Sequence, residues 1–97
     1  MVSLQGFEIG RFRLKPGIEE ESLREANRTM EREHLASQPG FVSHHLIRLD
    51  GGVYFDLVFA ESRKAAERIC GSWLGQPACE AFLALIEPES MSFGDIL

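Results

Sequence analysis

Residues 52–60, Gly-Val-Tyr-Phe-Asp-Leu-Val-Phe-Ala, decide the fold of this chain because they form a strand with two apolar faces. Successive side chains of a β-strand point to opposite faces of a sheet. All four odd-numbered residues between 53 and 59 are apolar, while Val58 and the ring of Tyr54 need burial on the even-numbered face. The helices of a 97-residue chain can cover only one of these faces. We therefore predict that a second copy of the chain covers the other.

The segments that flank this strand alternate in type. Residues 41–49 form a preceding strand, and Asp50-Gly51-Gly52 is a tight-turn signal that joins the two strands in a hairpin. Residues 6–14 are predicted as the first strand, which Lys15-Pro16-Gly17 ends, and residues 89–96 as the last. The chain therefore contributes four strands to one sheet.

Helical spacing of apolar residues predicts three helices between these strands. The first follows the glutamates at 19–21, which favour a helix start, and continues to about Ser37. The second opens with Ser62 as its N-cap, and a short third helix begins at Pro77 and is closed by Pro88. The stripes expected to face the core are Leu23, Ala26, Met30 and His34 with Asn27 beside them; Ala66, Ile69, Cys70 and Trp73; and Cys79, Phe82, Leu83 and Ile86.

The predicted order β-α-β-β-α-β indicates an α+β fold of the ferredoxin-like split type, with one antiparallel four-stranded sheet in a single domain over residues 1–97. Right-handed crossovers place the helices on one face of that sheet. The predicted helix-facing residues are Phe12, Leu14, Phe55, Leu57 and Phe59. The predicted opposite face carries Ile9, Arg11, Ile47, Tyr54, Asp56 and Val58. Two such sheets packed face to face would bury the second set as a dimeric α/β barrel.

Composition and charge exclude several classes of protein. The net charge of −5, with no polybasic run, argues against a nucleic-acid-binding surface. Cys70 and Cys79 lie in apolar contexts without CxxC spacing, which favours buried thiols in a reducing compartment. The N-terminus has no secretion-signal pattern, and no apolar run approaches the length of a membrane span. We expect a cytoplasmic protein without a membrane partner.

Several local strings resemble the dimeric α/β-barrel superfamily, specifically its antibiotic biosynthesis monooxygenase-like branch and the uncharacterised members within it. The resembling strings are Phe12-Arg13-Leu14-Lys15-Pro16-Gly17, Gln38-Pro39-Gly40-Phe41, Glu61-Ser62-Arg63-Lys64-Ala65-Ala66 and the closing segment 77–93. The resemblance implies a homodimer with a cleft between helices and sheet in each copy. It also implies activities such as cofactor-free monooxygenation of polycyclic phenols, haem degradation or isomerisation.

The haem-degrading members differ from this chain at two positions. Their pattern has an Asn on the first strand, where this chain has Glu8 and Gly10, and a Trp at the end of the third strand, where this chain has Phe59. The resemblance therefore points away from haem.

Three residues are candidates for catalysis. His34 on the first helix could meet His44, which we expect on the helix-facing side of its strand, and Tyr54 could donate a proton or orient an enol. The alternative is that both histidines are core-edge residues with ordinary hydrogen-bond partners. The predicted pocket-lining residues are Asn27, Met30, His45, Asp56 and Trp73.

The register of the hairpin decides whether His45 meets Asp56. A two-residue turn places their side chains on one face, whereas a three-residue turn places them on opposite faces. His44 and His45 are neighbours on a strand and cannot readily bind one metal ion together. Arg11 could pair with Asp56 inside the dimer or anchor an anion.

Two functions follow as hypotheses. The first is a cofactor-independent monooxygenase or isomerase that acts on a small planar apolar compound, with no cofactor and no metal. The second is a non-catalytic homodimeric module that binds a small molecule or serves a stress response. The fold supports both, so the expected partners are a second copy of the chain and a small aromatic ligand.

Overall fold

The computed structural model describes residues 5–97, and its elements follow the predicted order of an α+β ferredoxin-like fold. The strands and helices are β1 Gly6–Leu14, α1 Glu20–Glu33, β2 Phe41–Leu49, β3 Val53–Ala60, α2 Arg63–Gly71, α3 Pro77–Leu83 and β4 Ile86–Asp95. The four strands form one antiparallel sheet in the order β2-β3-β1-β4. Residues 1–4, on which the expectation about a secretion signal partly depends, lie outside the described range.

The even-numbered residues of β3, not the odd-numbered ones, face the helices. Tyr54, Asp56 and Val58 are buried, while Phe55, Leu57 and Phe59 are half-exposed. The predicted placement of the two β3 sets was therefore wrong. The reason is the register of the β1–β3 pair, in which Phe12 lies opposite Tyr54, so that the even-numbered residues of both strands share a face.

The open face of the sheet carries a set of apolar side chains that no helix of the described chain covers. We call these residues the open-face patch: Phe7, Ile9, Ile47, Phe55, Leu57 and Phe59. The predicted places of Ile9, Arg11 and Ile47 on this face are confirmed, and those of Tyr54, Asp56 and Val58 are wrong. Arg11 pairs with Glu89, with its Nε 2.8 Å from Oε1, rather than with Asp56.

All three helices end earlier than the sequence predicts, and α2 stops at Gly71, so that Trp73 of its predicted stripe lies beyond the helix. α1 stops at Glu33 because His34 leaves helical geometry at φ −134° and ψ −61°. A single 3-10 turn, Leu35–Ser37, follows, and the Ser37 hydroxyl donates a hydrogen bond to the His34 carbonyl. α3 ends at Leu83 instead of reaching Pro88. Ile86 and Pro88 pair with β1 and thus belong to β4.

The core lies between the helices and the even-numbered face of the sheet. Its fully buried side chains are Phe12, Leu23, Met30, Leu35, Val58, Ile69, Cys79 and Phe82. No helix among residues 5–97 combines the length and the hydropathy needed to cross a membrane.

Ser62 caps α2, as predicted, with its Oγ accepting a hydrogen bond from the Ala65 N–H at 3.0 Å. We expect Ser62→Ala to lower the free energy of unfolding by about 1 kcal/mol, because the N–H loses its partner. For a domain of this size the melting temperature should fall by roughly 4–8 °C, as thermal denaturation followed by circular dichroism would measure. Ser62→Asp should keep most of the stability, and equal losses in both variants would contradict the capping role.

Candidate functional site

A cavity of about 390 Å³ opens between the sheet and the ends of α2 and α3. Its walls are mainly apolar, and they come from β1, β4, α3 and the segment that follows α2. The apolar lining includes Phe12, Trp73, Leu74, Phe82, Leu83, Ile86 and Met91. Glu8 and Asp56 line the same cavity from the sheet. An apolar cavity with a few convergent polar groups is the usual form of a small-molecule site.

Gly10 makes room for both of these carboxyl groups. It lies between Glu8 and Phe12 on β1 and directly opposite Asp56 on β3. A Cβ at this position would clash with Asp56 Oδ1 and would lie 2.9 Å from Glu8 Oε1. The two carboxyl groups therefore share the space above one glycine, which brings like charges close together.

His44 contacts Asp56 but is not itself among the residues that line the cavity. Its imidazole is fully buried, with Nε2 3.4 Å from Asp56 Oδ2 and Nδ1 2.9 Å from Glu31 Oε2. Burial by itself lowers the pKa of His44, but the hydrogen bonds to Asp56 and Glu31 outweigh it and raise the pKa to about 9. The hydrogen bond from His44 in turn lowers the pKa of Glu31. At neutral pH, His44 is thus an imidazolium between two carboxylates.

The surroundings of Glu8 favour its neutral, protonated form. Burial, followed by the nearby charge of Asp56, raises its pKa to about 8, although His44 and the Cys70 thiol act in the other direction. Only 3% of Glu8 is exposed, and its Oε2 has no hydrogen-bond partner among residues 5–97. At neutral pH, the pair therefore consists mostly of a protonated Glu8 beside an Asp56 that is ion-paired with His44. Such a pair can both donate and accept a proton.

The structure brings some of the predicted site residues to the cavity and not others. Asp56 and Trp73 line it, and His44 supports it through Asp56 and through an edge contact with the Trp73 ring. His34 is buried elsewhere, with Nε2 2.8 Å from Ser72 Oγ. Its predicted convergence with His44 on one pocket is not seen, because neither histidine is among the lining residues.

Tyr54 lies outside this cavity. Its ring stacks on Phe12, and its hydroxyl donates a hydrogen bond to Glu20 Oε1 at 2.8 Å. Burial, followed by this hydrogen bond, raises the pKa of Tyr54. The tyrosine instead borders a smaller polar cavity of about 240 Å³ with Glu20, Arg24 and Arg48.

The remaining predicted lining residues are also elsewhere. Asn27 and Met30 lie on the buried face of α1 and are not among the residues that line the cavity. His45 is exposed on the open face, opposite Leu57, because Asp50-Gly51-Gly52 is a three-residue loop that places His45 and Asp56 on different faces. Within residues 5–97, no three His, Cys, Asp or Glu side chains are grouped to hold a metal ion.

Glu8 is the site residue that the sequence did not single out. The available signal was its parity: Glu8 is even-numbered, like the helix-facing Phe12, and has small residues, Gly6 and Gly10, on either side of it on that face. A carboxylate between two glycines on the buried face of a strand is shielded from water, which makes it a good candidate for a functional site.

Comparison of the sequence with family models and with curated proteins finds no match. Several solved structures match over most of the chain, and some of them are described as antibiotic biosynthesis monooxygenases. SnoaB from Streptomyces nogalater, a cofactor-independent oxygenase, has a TM-score of 0.71 at 21% identity, over 95% of this chain and 92% of its own. A candidate antibiotic biosynthesis monooxygenase from Caulobacter crescentus has a TM-score of 0.73 at 18% identity, over 96% and 90%. Another from Nitrosomonas europaea has a TM-score of 0.68 at 13% identity, over 99% and 91%. These likenesses show a shared fold.

Proposed function

We propose that this chain is a homodimeric member of the antibiotic biosynthesis monooxygenase group that binds a small planar apolar compound and removes a proton from it. The observation that carries the proposal is the apolar cavity that ends on the buried Glu8–Asp56 pair. The fold shared with a cofactor-independent oxygenase adds support. The cavity volume suits a molecule of two or three fused rings.

In this proposal Asp56 is the group that accepts the proton. It lines the cavity, and its contact with His44 Nε2 fixes its orientation. A carboxylate in an apolar cavity can deprotonate an acidic C–H or O–H, provided that the substrate spreads the resulting charge over its rings. The electron-rich anion then reacts with O₂, so that a CH₂ group becomes C=O and one H₂O leaves. The same proton removal without O₂ would give an isomerase.

The open-face patch supports the homodimer. Six apolar side chains of that surface are only half-buried or exposed, and Arg11 lies over the Phe55 ring at its border. A contiguous apolar surface of this kind is not normally left in water. A second copy that presents the same patch would satisfy it through a two-fold axis.

Ligand binding can be tested by filling the cavity. We expect Met91→Trp, at a rim position that is 61% exposed, to weaken the binding of 1-naphthol by at least tenfold while the chain stays folded. Lys64→Trp places the same side chain on an exposed part of α2 outside the cavity and should bind like wild type. Isothermal titration calorimetry measures both. Equal affinities in the two variants would place the ligand elsewhere.

Proton removal can be tested with anthrone, a planar ketone whose CH₂ is acidic. We expect the wild type to accelerate O₂ uptake and the formation of anthraquinone, and Asp56→Asn to lose at least 10²-fold of that rate, the range for a general base. Tyr54→Phe, which removes a hydroxyl outside the cavity, should retain the rate. Binding without any O₂ uptake by the wild type would favour the non-catalytic small-molecule-binding module instead.

A further inference from the structure

Two carboxylates contact the buried imidazolium of His44, although one would be enough to balance its charge. Nδ1 lies 2.9 Å from Glu31 Oε2, and Nε2 lies 3.4 Å from Asp56 Oδ2. Hydrogen bonds between a charged N–H and a carboxylate are usually about 2.7–2.9 Å long. The bond to Glu31 is therefore a full charge-assisted hydrogen bond, whereas the contact with Asp56 is long. The second carboxylate and the unequal distances need an explanation beyond pairing the ring.

Glu31 is connected to the cavity through His44. It lies on α1 with 36% of its side chain exposed, and it is not among the residues that line the cavity. His44, on β2, has no exposed side-chain surface, and Asp56, on β3, lines the cavity. The three residues thus form a continuous line of contacts from the surface of α1 to the cavity wall.

A proton on Asp56 changes the charge balance around His44. Before the reaction, the three groups carry two negative charges and one positive charge. When a substrate C–H or O–H gives its proton to Asp56, the bonding electron pair stays on the substrate and Asp56 becomes neutral. The imidazolium keeps its shorter bond to Glu31, so the charges of the three groups then sum to zero. Without Glu31 the same step would leave a buried cation unpaired, which is strongly unfavourable.

We propose that Glu31 is a positioning residue for the proton removal, because it stays paired with His44 while Asp56 holds the substrate proton. The inference rests on the proposed function, since it assigns a further residue to the reaction at the same cavity. His44 carries the effect from Glu31 to Asp56 without giving up either of its own protons. Burial opposes the charged ring, yet the hydrogen bonds to both carboxylates hold the pKa of His44 at about 9.

A double-mutant cycle on the anthrone reaction tests this role. Glu31→Gln keeps an oxygen that can accept from His44 but removes the charge. We expect its kcat at pH 7 to fall at least tenfold, since Glu31 stabilises the state with protonated Asp56 more than the starting state. Its affinity for 1-naphthol should stay at the wild-type value. In an Asp56→Asn background, Glu31→Gln should cause no further loss of rate.

The loss in Glu31→Gln should also depend on pH. Removing an opposite charge at this distance lowers the pKa of His44, by about 1–3 pH units, which NMR titration of the ring measures. Above that pKa the ring is neutral, so a proton on Asp56 no longer leaves an unpaired cation. The ratio of wild-type to variant rates should therefore be smaller at pH 8.5 than at pH 6. Other titratable groups near these residues are unchanged and affect both proteins alike: Glu8 on β1, Cys70 on α2 and His45 on β2.

The outcomes separate the inference from the proposed function. If the wild type oxidises anthrone and Glu31→Gln does so equally fast, the inference is overturned while the proposed function stands. A rate ratio that is the same at both pH values, or a further loss in the Asp56→Asn background, also overturns it. A wild type without activity ends the proposed function and the inference together. Glu31→Asp, which keeps the charge, should recover part of the rate, and Glu25→Gln, exposed on the same helix, is the matched control.

Discussion

Replacing Glu8 with Gln is expected to make the folded chain more stable at pH 9, by several kcal/mol, and to change its stability little below pH 5. The pKa of Glu8 is about 8 in the folded chain and has its ordinary value of 4.5 when the chain unfolds. Below 4.5 the group is neutral in both states and contributes nothing. Between pH 4.5 and 8 the unfolded chain has released this proton while the folded chain retains it, so stability falls with rising pH, and the loss is complete above 8, where the folded chain carries a buried charge. Each pKa unit corresponds to about 1.4 kcal/mol.

The groups that face Glu8 support the expectation that ionised Glu8 destabilises the folded chain. Asp56 on β3 adds a like charge, whereas His44 on β2 and the Cys70 thiol on α2 only partly offset it. His44 also makes the folded chain less stable as the pH rises. Its pKa is raised from 6.5 to about 9, so its stabilisation is fully present below pH 6.5 and disappears as the pH rises through 9. That part remains in Glu8→Gln, so the variant should still lose some stability at high pH.

Thermal denaturation at pH 5 and pH 9 tests the prediction directly. At pH 9 the melting temperature of Glu8→Gln should exceed that of the wild type by about 10 °C or more, since 1 kcal/mol corresponds to roughly 4–8 °C for a domain of this size. The two proteins should melt close together at pH 5. Glu25→Gln, on an exposed position of α1, should follow the wild type at both pH values. A Glu8→Gln variant that melts below the wild type at pH 9 would show that the folded chain favours the ionised carboxylate.

The sequence predicted the elements of the fold well because the residues that begin and end helices and strands act locally. β2 begins and ends as predicted, and Ser62 caps α2, since Gly, Pro and capping residues act on their immediate neighbours. The face of β3 could not be assigned in this way, because both of its faces are apolar. The length of the Asp50-Gly51-Gly52 loop and the pairing of Phe12 with Tyr54 decide it, and neither can be read from hydropathy.

The candidate site was predictable only in part, for the same reason. Asp56 and Trp73 were predicted to line a pocket, and they do line the cavity. Glu8 is the same residue type as the many surface glutamates. Only its place among the even-numbered, helix-facing residues of β1 distinguishes it. His44 meets Asp56 because the three-residue loop placed it, rather than His45, on the helix-facing side.

Leu57→Asp is expected to separate the proposed homodimer into folded monomers. Leu57 lies at the centre of the open-face patch, opposite Ile9 on β1 and His45 on β2. In a two-fold dimer the substitution places two carboxylates in the apolar interface, and each loses water without gaining a partner. We expect the dissociation constant to rise by at least 10²-fold. The core under the helices should stay intact, because the side chain of residue 57 points away from it.

Val58→Asp is the matched comparison, since the neighbouring side chain points to the other face. Val58 is completely buried in the helix-side core, so an aspartate there is a buried charge without a partner. Such a change costs more than about 4 kcal/mol, enough to unfold a marginally stable domain. Light scattering at about 10 μM with circular dichroism distinguishes the two results. A wild-type monomer, or a Leu57→Asp variant that remains dimeric, would show that the open-face patch is not where two copies meet.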